Sequence, residues 1–324
     1  MFWRRKKAPA SPPQIGCFGK LPATGDFIRM NASGEELAAF DRWLGGGIDF
    51  ARRAMGPAFE TAYPPSVGLF VFHGEGKDNE PPARGMVGAW AASGDNAGRT
   101  YPMVVFASYD YGQLAATGAA LPIALFPLLA SAYDLVTNGR GLPVETFVER
   151  ASRIAPPPLD DAAAAGASYR SWLTTQSMKA LWETGFGTDA SRFWVLQNVL
   201  ASVEPFRGQE HPKTGLAIRL PLGAGDAYAA AVWMDMTLRL ARWSQTLLNA
   251  FWIPQQTMLL HLGPPHVASF RELIAPTGVA DHVVELCRPP TVAESTARRA
   301  LGPQLDILAS NSDITIASFL DGLV

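Results

Sequence analysis

Three runs rich in branched and aromatic residues, Val67 to His73, Gly85 to Ala91 and Tyr101 to Tyr109, follow one another with only short polar connections that contain Gly or Pro. Such runs read as strands. The connections are too short for crossover helices, so the strands must turn back on each other as an antiparallel meander. A shorter strand is expected over Ile15 to Lys20, leading into a loop from Leu21 to Asn31. Leu37, Phe40, Leu44 and Ile48 recur at helical spacing and predict a helix from Ser33 to Met55, with Ser33 and Glu36 placed as a capping box. Gly45-Gly46-Gly47 weakens its middle. An apolar helix over Leu114 to Thr137 and a second over Val144 to Ile154 would cover the sheet.

A chain of 324 residues exceeds what one hydrophobic core usually serves, so two lobes are expected. The linker falls in Ala155 to Ser168, where three prolines bar a continuous helix. The expected division is a disordered basic and Pro-rich tail (1–14), a first α/β domain (15–157) and a second (158–324). The second half reads as helices over Tyr169 to Thr184 and Asp189 to Val203, a strand Leu216 to Leu222 and a long helix from Asp226 to Asn249. A strand Met258 to Leu262, a short helix Ser269 to Ile274, a strand Val283 to Leu286 and helices over Val292 to Leu301 and Ile314 to Leu323 complete it. The fold class is therefore α/β: two α/β sandwich lobes, the first with a mixed, largely antiparallel sheet flanked by helices.

Charge excludes some functions. With 27 basic and 29 acidic side chains the net charge is -2, which gives no overall attraction to nucleic acid or anionic lipid. Charged residues make up only 17% of the chain, so small residues or a partner must cover much of its surface. Cys17 and Cys287 stand far apart without a CxxC, which fits buried thiols in a reducing compartment. The amino-terminal "MFWRRKKAPASPPQ" lacks the apolar region of a secretory signal. Between Asp110 and Asp134 lie 23 uncharged residues, but Gly112, Gly118, Pro122 and Pro127 interrupt them and favour a buried helix over a stable membrane span. Six of nine tryptophans fall between 172 and 252 without a basic cluster, and read as core.

Catalytic signatures are missing. Gly16-x-x-Gly19-Lys20 lacks the spacing of a phosphate-binding loop, since Leu21 and Pro22 follow the lysine. There is no GxSxG elbow and no HExxH, and the five histidines have no Cys partner at metal-ligand spacing, so neither a metal nor a cofactor is expected. In "GAWAASGDNAGRTYP", Gly88 to Pro102, Asp95 is expected to bond backbone amides in a tight turn and Arg99 to pair with a carboxylate.

The segments "FGKLPATGDFIR", "FDRWL" and "SGDNAGRTYP", in that order, resemble the TagF/ImpM family of type VI secretion-associated proteins. The resemblance covers roughly residues 15 to 155; the second half is similar only in a general way to the extensions of longer members. It implies a cytoplasmic, non-enzymatic, post-translational repressor of the secretion machine that acts by protein–protein interaction with its forkhead-associated scaffold protein. Some members are fused to a metal-dependent phosphatase. This second half has only Gly225-Asp226 and Asp321-Gly322 where such a domain needs several metal-holding aspartates, and is not read as one.

The candidate site follows from these segments. Lys20, Asp26, Ser93, Asp95 and Arg99 are expected to meet as a polar cluster at one end of the first sheet, where they either lock the fold or bind a partner. Gly19, Pro22, Gly25, Phe27, Gly98 and Pro102 would shape its turns, with Asp26 accepting backbone bonds and Phe27 anchoring the loop on the core. Asp41 and Trp43 carry the motif on the helix. A second reading makes Asp26, Asp95 and Arg99 the polar groups of a small-molecule-binding module or enzyme.

Overall fold

The three central strands carry apolar side chains at nearly every position, so both of their faces must be covered. The computed structural model describes residues 12–77, 80–159, 162–223, 226–278, 280–289 and 294–323. From the amino end the order is β1 (Gln14–Gly19), β2 (Ile28–Met30), α1 (Glu35–Met55), α2 (Phe59–Ala62), β3 (Val67–Phe72), β4 (Arg84–Ala91) and β5 (Met103–Asp110). Helices α3 (Tyr111–Thr117), α4 (Leu121–Ala124), α5 (Phe126–Asn138) and α6 (Val144–Ser152) follow. The second half runs α7 (Ala162–Thr175), α8 (Met178–Phe186), α9 (Arg192–Val203), β6 (Ala217–Pro221), α10 (Asp226–Ala241), β7 (Asn249–Ile253) and β8 (Thr257–His261). It ends with α11 (Ser269–Ile274), β9 (Val283–Glu285), α12 (Glu294–Ser310) and α13 (Ile316–Asp321).

Among the described residues these strands form one nine-stranded sheet in the order β2-β1-β5-β4-β3-β7-β8-β6-β9. Only the β6–β9 pair is parallel. The fold is thus α/β with a mixed, largely antiparallel sheet flanked by helices, and the β3-β4-β5 meander is in place. The two halves share the sheet: Leu69, Phe70 and Val71 of β3 pair with Trp252, Phe251 and Ala250 of β7. The expected boundary at 158 therefore crosses the chain but not the sheet. Without β7, the hydrophobic strand β3 would present an open edge.

Alternation along the strands divides the core. Phe70, Phe72, Trp90, Val104, Phe106, Phe251 and Leu259 point to one face, where α1 and α11 cover them. Leu69, Val71, Val87, Val105, Leu260 and their neighbours point to the other, under α3 to α10 and the carboxy-terminal helices. On the first face α1 bridges the halves. Phe40 stacks on Phe70 at 4.8 Å, and Trp43 stacks on Phe251 at 4.5 Å. Phe106 fits because Gly16 and Gly88 flank it; a Cβ on Gly16 would lie 2.8 Å from its ring.

Several expectations are corrected. Ile28–Met30 is an edge strand on β1 rather than loop. Ser33 and Glu36 form no capping box: α1 starts after Gly34, and Glu36 instead accepts from Ser108 Oγ at 2.6 Å. The apolar helix over 114–137 is broken, its parts Tyr111–Ala124 and Phe126–Asn138 meeting at 61°. Leu125 and the prolines at 122 and 127 mark the break, and no single helix among the described residues is long and apolar enough to cross a membrane. The helix expected to reach Asn249 ends at Ala241, where Arg242 turns to φ 56°, and residues 249–253 are strand β7. The helix expected over 169–184 begins at Ala162 and breaks before Met178. Residues 1–11, most of the expected tail, lie outside the described residues, as do Asp160, Asp161 and Gly225; Gln14 already belongs to β1. Of the six clustered tryptophans, Trp182, Trp233, Trp243 and Trp252 are buried.

Because Phe251 joins α1 to the shared sheet, Phe251→Ala is expected to cost about 3–5 kcal/mol, the range for a buried Phe-to-Ala change. Urea denaturation should show a lower midpoint with an unchanged slope.

Candidate functional site

At the end of the sheet where β1 and β4 finish and β5 begins, the segments singled out in the sequence come together. Leu21-Pro22-Ala23-Thr24 leaves β1 as a turn closed by Thr24 N–H to Leu21 O (3.2 Å), with proline at the position that its fixed φ suits. Gly19 must be glycine. Its φ is 137°, and a Cβ there would sit 2.0 Å from Pro102 O. The facing connection, Ser93 to Pro102, folds back through Asp95 N–H to Arg99 O (3.1 Å) and Gly98 N–H to Asp95 O (3.0 Å), with Gly98 at φ 78°.

Asp95 ties these turns together. One carboxylate oxygen accepts from the Ala97 and Arg99 amides at 3.0 and 2.8 Å. The other accepts from Arg99 Nε at 2.7 Å and from the Lys20 ammonium. The carboxylate side chain is fully buried and Lys20 nearly so. Lys20, followed by the amides and guanidinium of Arg99, holds the Asp95 carboxyl well below the usual carboxylate range. Arg99 then reaches across to Gly25 O at 2.5 Å, and Asn96 N–H bonds Thr24 O at 3.2 Å, so the two turns are stapled side by side.

Aromatic packing seals the staple. Phe27 stacks on Phe18 at 5.4 Å and meets Tyr101 edge-on at 5.0 Å, while the Lys20 ammonium lies over the Phe27 ring at 4.9 Å. The Tyr101 hydroxyl donates to Asp41 Oδ1 at 2.5 Å, binding the motif helix to the same corner. Burial and the Asp41 charge push the Tyr101 phenol far up. Trp43, two residues on, faces the second half, where its indole N–H donates to His266 O at 3.1 Å.

The structure thus gathers Lys20, Asp95, Arg99, Gly25 and Phe27 into one network, with Ser93 supporting it through main-chain bonds to Tyr63 OH and the Tyr101 amide. Two residues behave differently from expectation. The Asp26 side chain is exposed and takes no backbone bond among the described residues, where its amide bonds Thr24 Oγ1. Phe27 does anchor the loop on the core rings Phe18 and Tyr101, but with 42% of its surface exposed it is a half-open anchor rather than a buried one. Tyr101, Phe18 and Arg29, whose guanidinium covers the Phe18 ring, went unread in the sequence because strand residues packing across the sheet carry no local signature.

Chemically, Asp95 is spent. With four donors among the described residues and no exposed surface, its carboxylate can neither take a proton from a substrate nor bind one. What remains open to solvent is a rim made by Pro22, Ala23, Asp26, Phe27 and Arg99. Among the described residues no group of three or more His, Cys, Asp or Glu is placed to hold a metal ion.

These features define a mixed α/β domain in which two turns are stapled by a buried Lys–Asp–Arg network beneath an aromatic rim. Residues 16–154 match the TagF N-terminal domain, type VI secretion system-associated. No curated protein matches the chain. A crystal structure of PA0076 from Pseudomonas aeruginosa PAO1 is similar at 16% identity and TM-score 0.49, over 82% of this chain and 96% of that one.

Asp95→Asn should lower the melting temperature strongly, because it strands the buried Lys20 ammonium. Lys20→Met combined with Asp95→Asn should lower it less than the two single losses added together. The folded Asp95 titrates below an unfolded aspartate at about 3.9, so its stabilisation is full above about pH 5 and is lost as the pH falls through and below 4. Denaturant titrations at pH 5, 4 and 3 should show a steeper acid loss in the native chain than in Asp95→Asn.

Proposed function

We propose that this protein is a non-enzymatic, cytoplasmic, post-translational repressor of type VI secretion that acts by binding a forkhead-associated scaffold protein. The observation that carries the reading is the division of labour at the motif corner. The charged motif residues satisfy one another inside, while the rim they hold up presents the Phe27 ring and the Asp26 carboxylate to solvent. Rigid turns that present an exposed aromatic flanked by charge suit a docking face, because little entropy is lost on binding. The match of residues 16–154 to a type VI secretion-associated domain supports the setting.

The alternative, an enzyme or small-molecule module using Asp26, Asp95 and Arg99, is disfavoured by the saturation of Asp95 and by the outward position of Asp26. The test separates folding from binding. Asp26→Arg changes the rim without touching the Asp95 network, and Phe27→Ala removes the ring over Lys20 but none of the hydrogen bonds to Asp95. They should leave melting within a few degrees of the native chain and weaken co-purification with the scaffold at least tenfold. Native-like binding by both variants removes the rim as the docking face; failure of the native chain to bind removes the scaffold as partner.

A further inference from the structure

The chain has five histidines, and the fold gathers all of them at the end of the sheet opposite the motif corner. Register places them. His73 follows the last residue of β3, His261 ends β8 opposite Asn249 of β7, and His282 precedes β9, its carbonyl accepting from Ala217 N–H at 2.9 Å. His266 lies 5.0 Å from His282, ring to ring. His211 contacts Tyr111 OH at 3.1 Å, and the same hydroxyl accepts from Leu247 N–H just before β7.

Contacts between the two halves reach this end. Asn249 Oδ1 accepts the His73 amide at 2.6 Å, while its Nδ2 donates to Gly263 O at 3.2 Å. Trp43 of α1 stacks on Phe251, and His261 stands edge-on to the same Phe251 ring at 5.7 Å. Trp43 also bonds His266 O. A chain of contacts therefore runs from the first half through Trp43 and Phe251 to His261.

His261 is fully buried, and neither ring nitrogen has a hydrogen-bond partner among the described residues. An imidazolium there would be desolvated and close to two further histidines. Burial, then the neighbouring His282 and His266, pull His261 down to about 3. His282 is drawn down by burial and by His266, against Glu272 and Asp281. Four further charges beside them are paired with one another: Arg219 with Glu272 and Glu285, and Arg271 with Glu272. His73, enclosed between Gly74 O and Leu247 O, is also drawn down, burial outweighing its two carbonyl neighbours.

We propose that this histidine end makes the joint between the two halves acid-labile: charging of His261, with His266 and His282 beside it, opens the contact of α1 with β7 and β8 while the β1–β5 region stays closed. The sign follows from linkage. His261 and His282 hold their protons more weakly when folded, so the joint is fully stabilised above about pH 6.5 and weakens as the pH falls below that value.

Hydrogen exchange of the full chain between pH 8 and 5, corrected for intrinsic exchange, tests it. The opening equilibrium of β7 and β8 amides should rise by up to tenfold per pH unit below about 6.5, and that of β4 and β5 should stay flat. In His261→Leu the rise should become clearly shallower. Should that variant fail to fold, the paired change His266→Asn with His282→Asn, at less buried positions, should flatten the slope. A slope shared equally by β4 and β5, a slope unchanged in these variants, or an imidazole signal of His261 titrating near 6.5 overturns the proposal.

Discussion

The antiparallel pairing of β3 with β7 is the constraint on which the rest of the molecule depends. It joins strands contributed by opposite halves of the chain, completes a sheet buried on both faces and gives α1 a surface that spans both contributions. Without it Phe70, Phe72 and Trp90 would lie under a helix whose Trp43 had no Phe251 to stack on. The ladder hydrogen bonds and the aromatic stack are therefore coupled, and losing either weakens the other.

The two ends of this sheet are chemically unlike. At one end a single carboxylate gathers an ammonium, a guanidinium and two amides, so that its charge is balanced and fixed in place. At the other end the buried His261 imidazole sits in a place that suits only its neutral form. The first arrangement favours a rigid corner, whose exposed Phe27 and Arg99 are held in position from beneath. The second ties rigidity to proton activity. Both act on the same element, because α1 sends Asp41 to the first end and Trp43 to the second.

Much of this was legible in the sequence, for reasons tied to range. The meander and the Asp95 turn depend on residues a few positions apart, and Gly, Pro and Asp declare such turns directly. The meeting of Lys20 with Asp95 was legible only because two motifs were read together. Strand β7 was hidden: it follows an apolar helix without punctuation, and its hairpin to β8 turns at Pro254-Gln255, with Gln255 at φ 59° instead of an Asn-Gly signal. Missing β7, the sequence suggested separate sheets. The false capping box had a similar cause, since Glu36 finds Ser108 and Arg84 across space rather than Ser33 nearby.

The shared sheet also has a consequence in time. Phe72 leaves the ribosome 177 residues before Asn249. At translation rates of about 5–20 residues per second, the nascent chain spends roughly 9 to 35 s with a finished hydrophobic strand that has no neighbour on one side. During that interval the growing polypeptide needs a chaperone, or slow closure of its own edge, to escape sticking to other nascent chains.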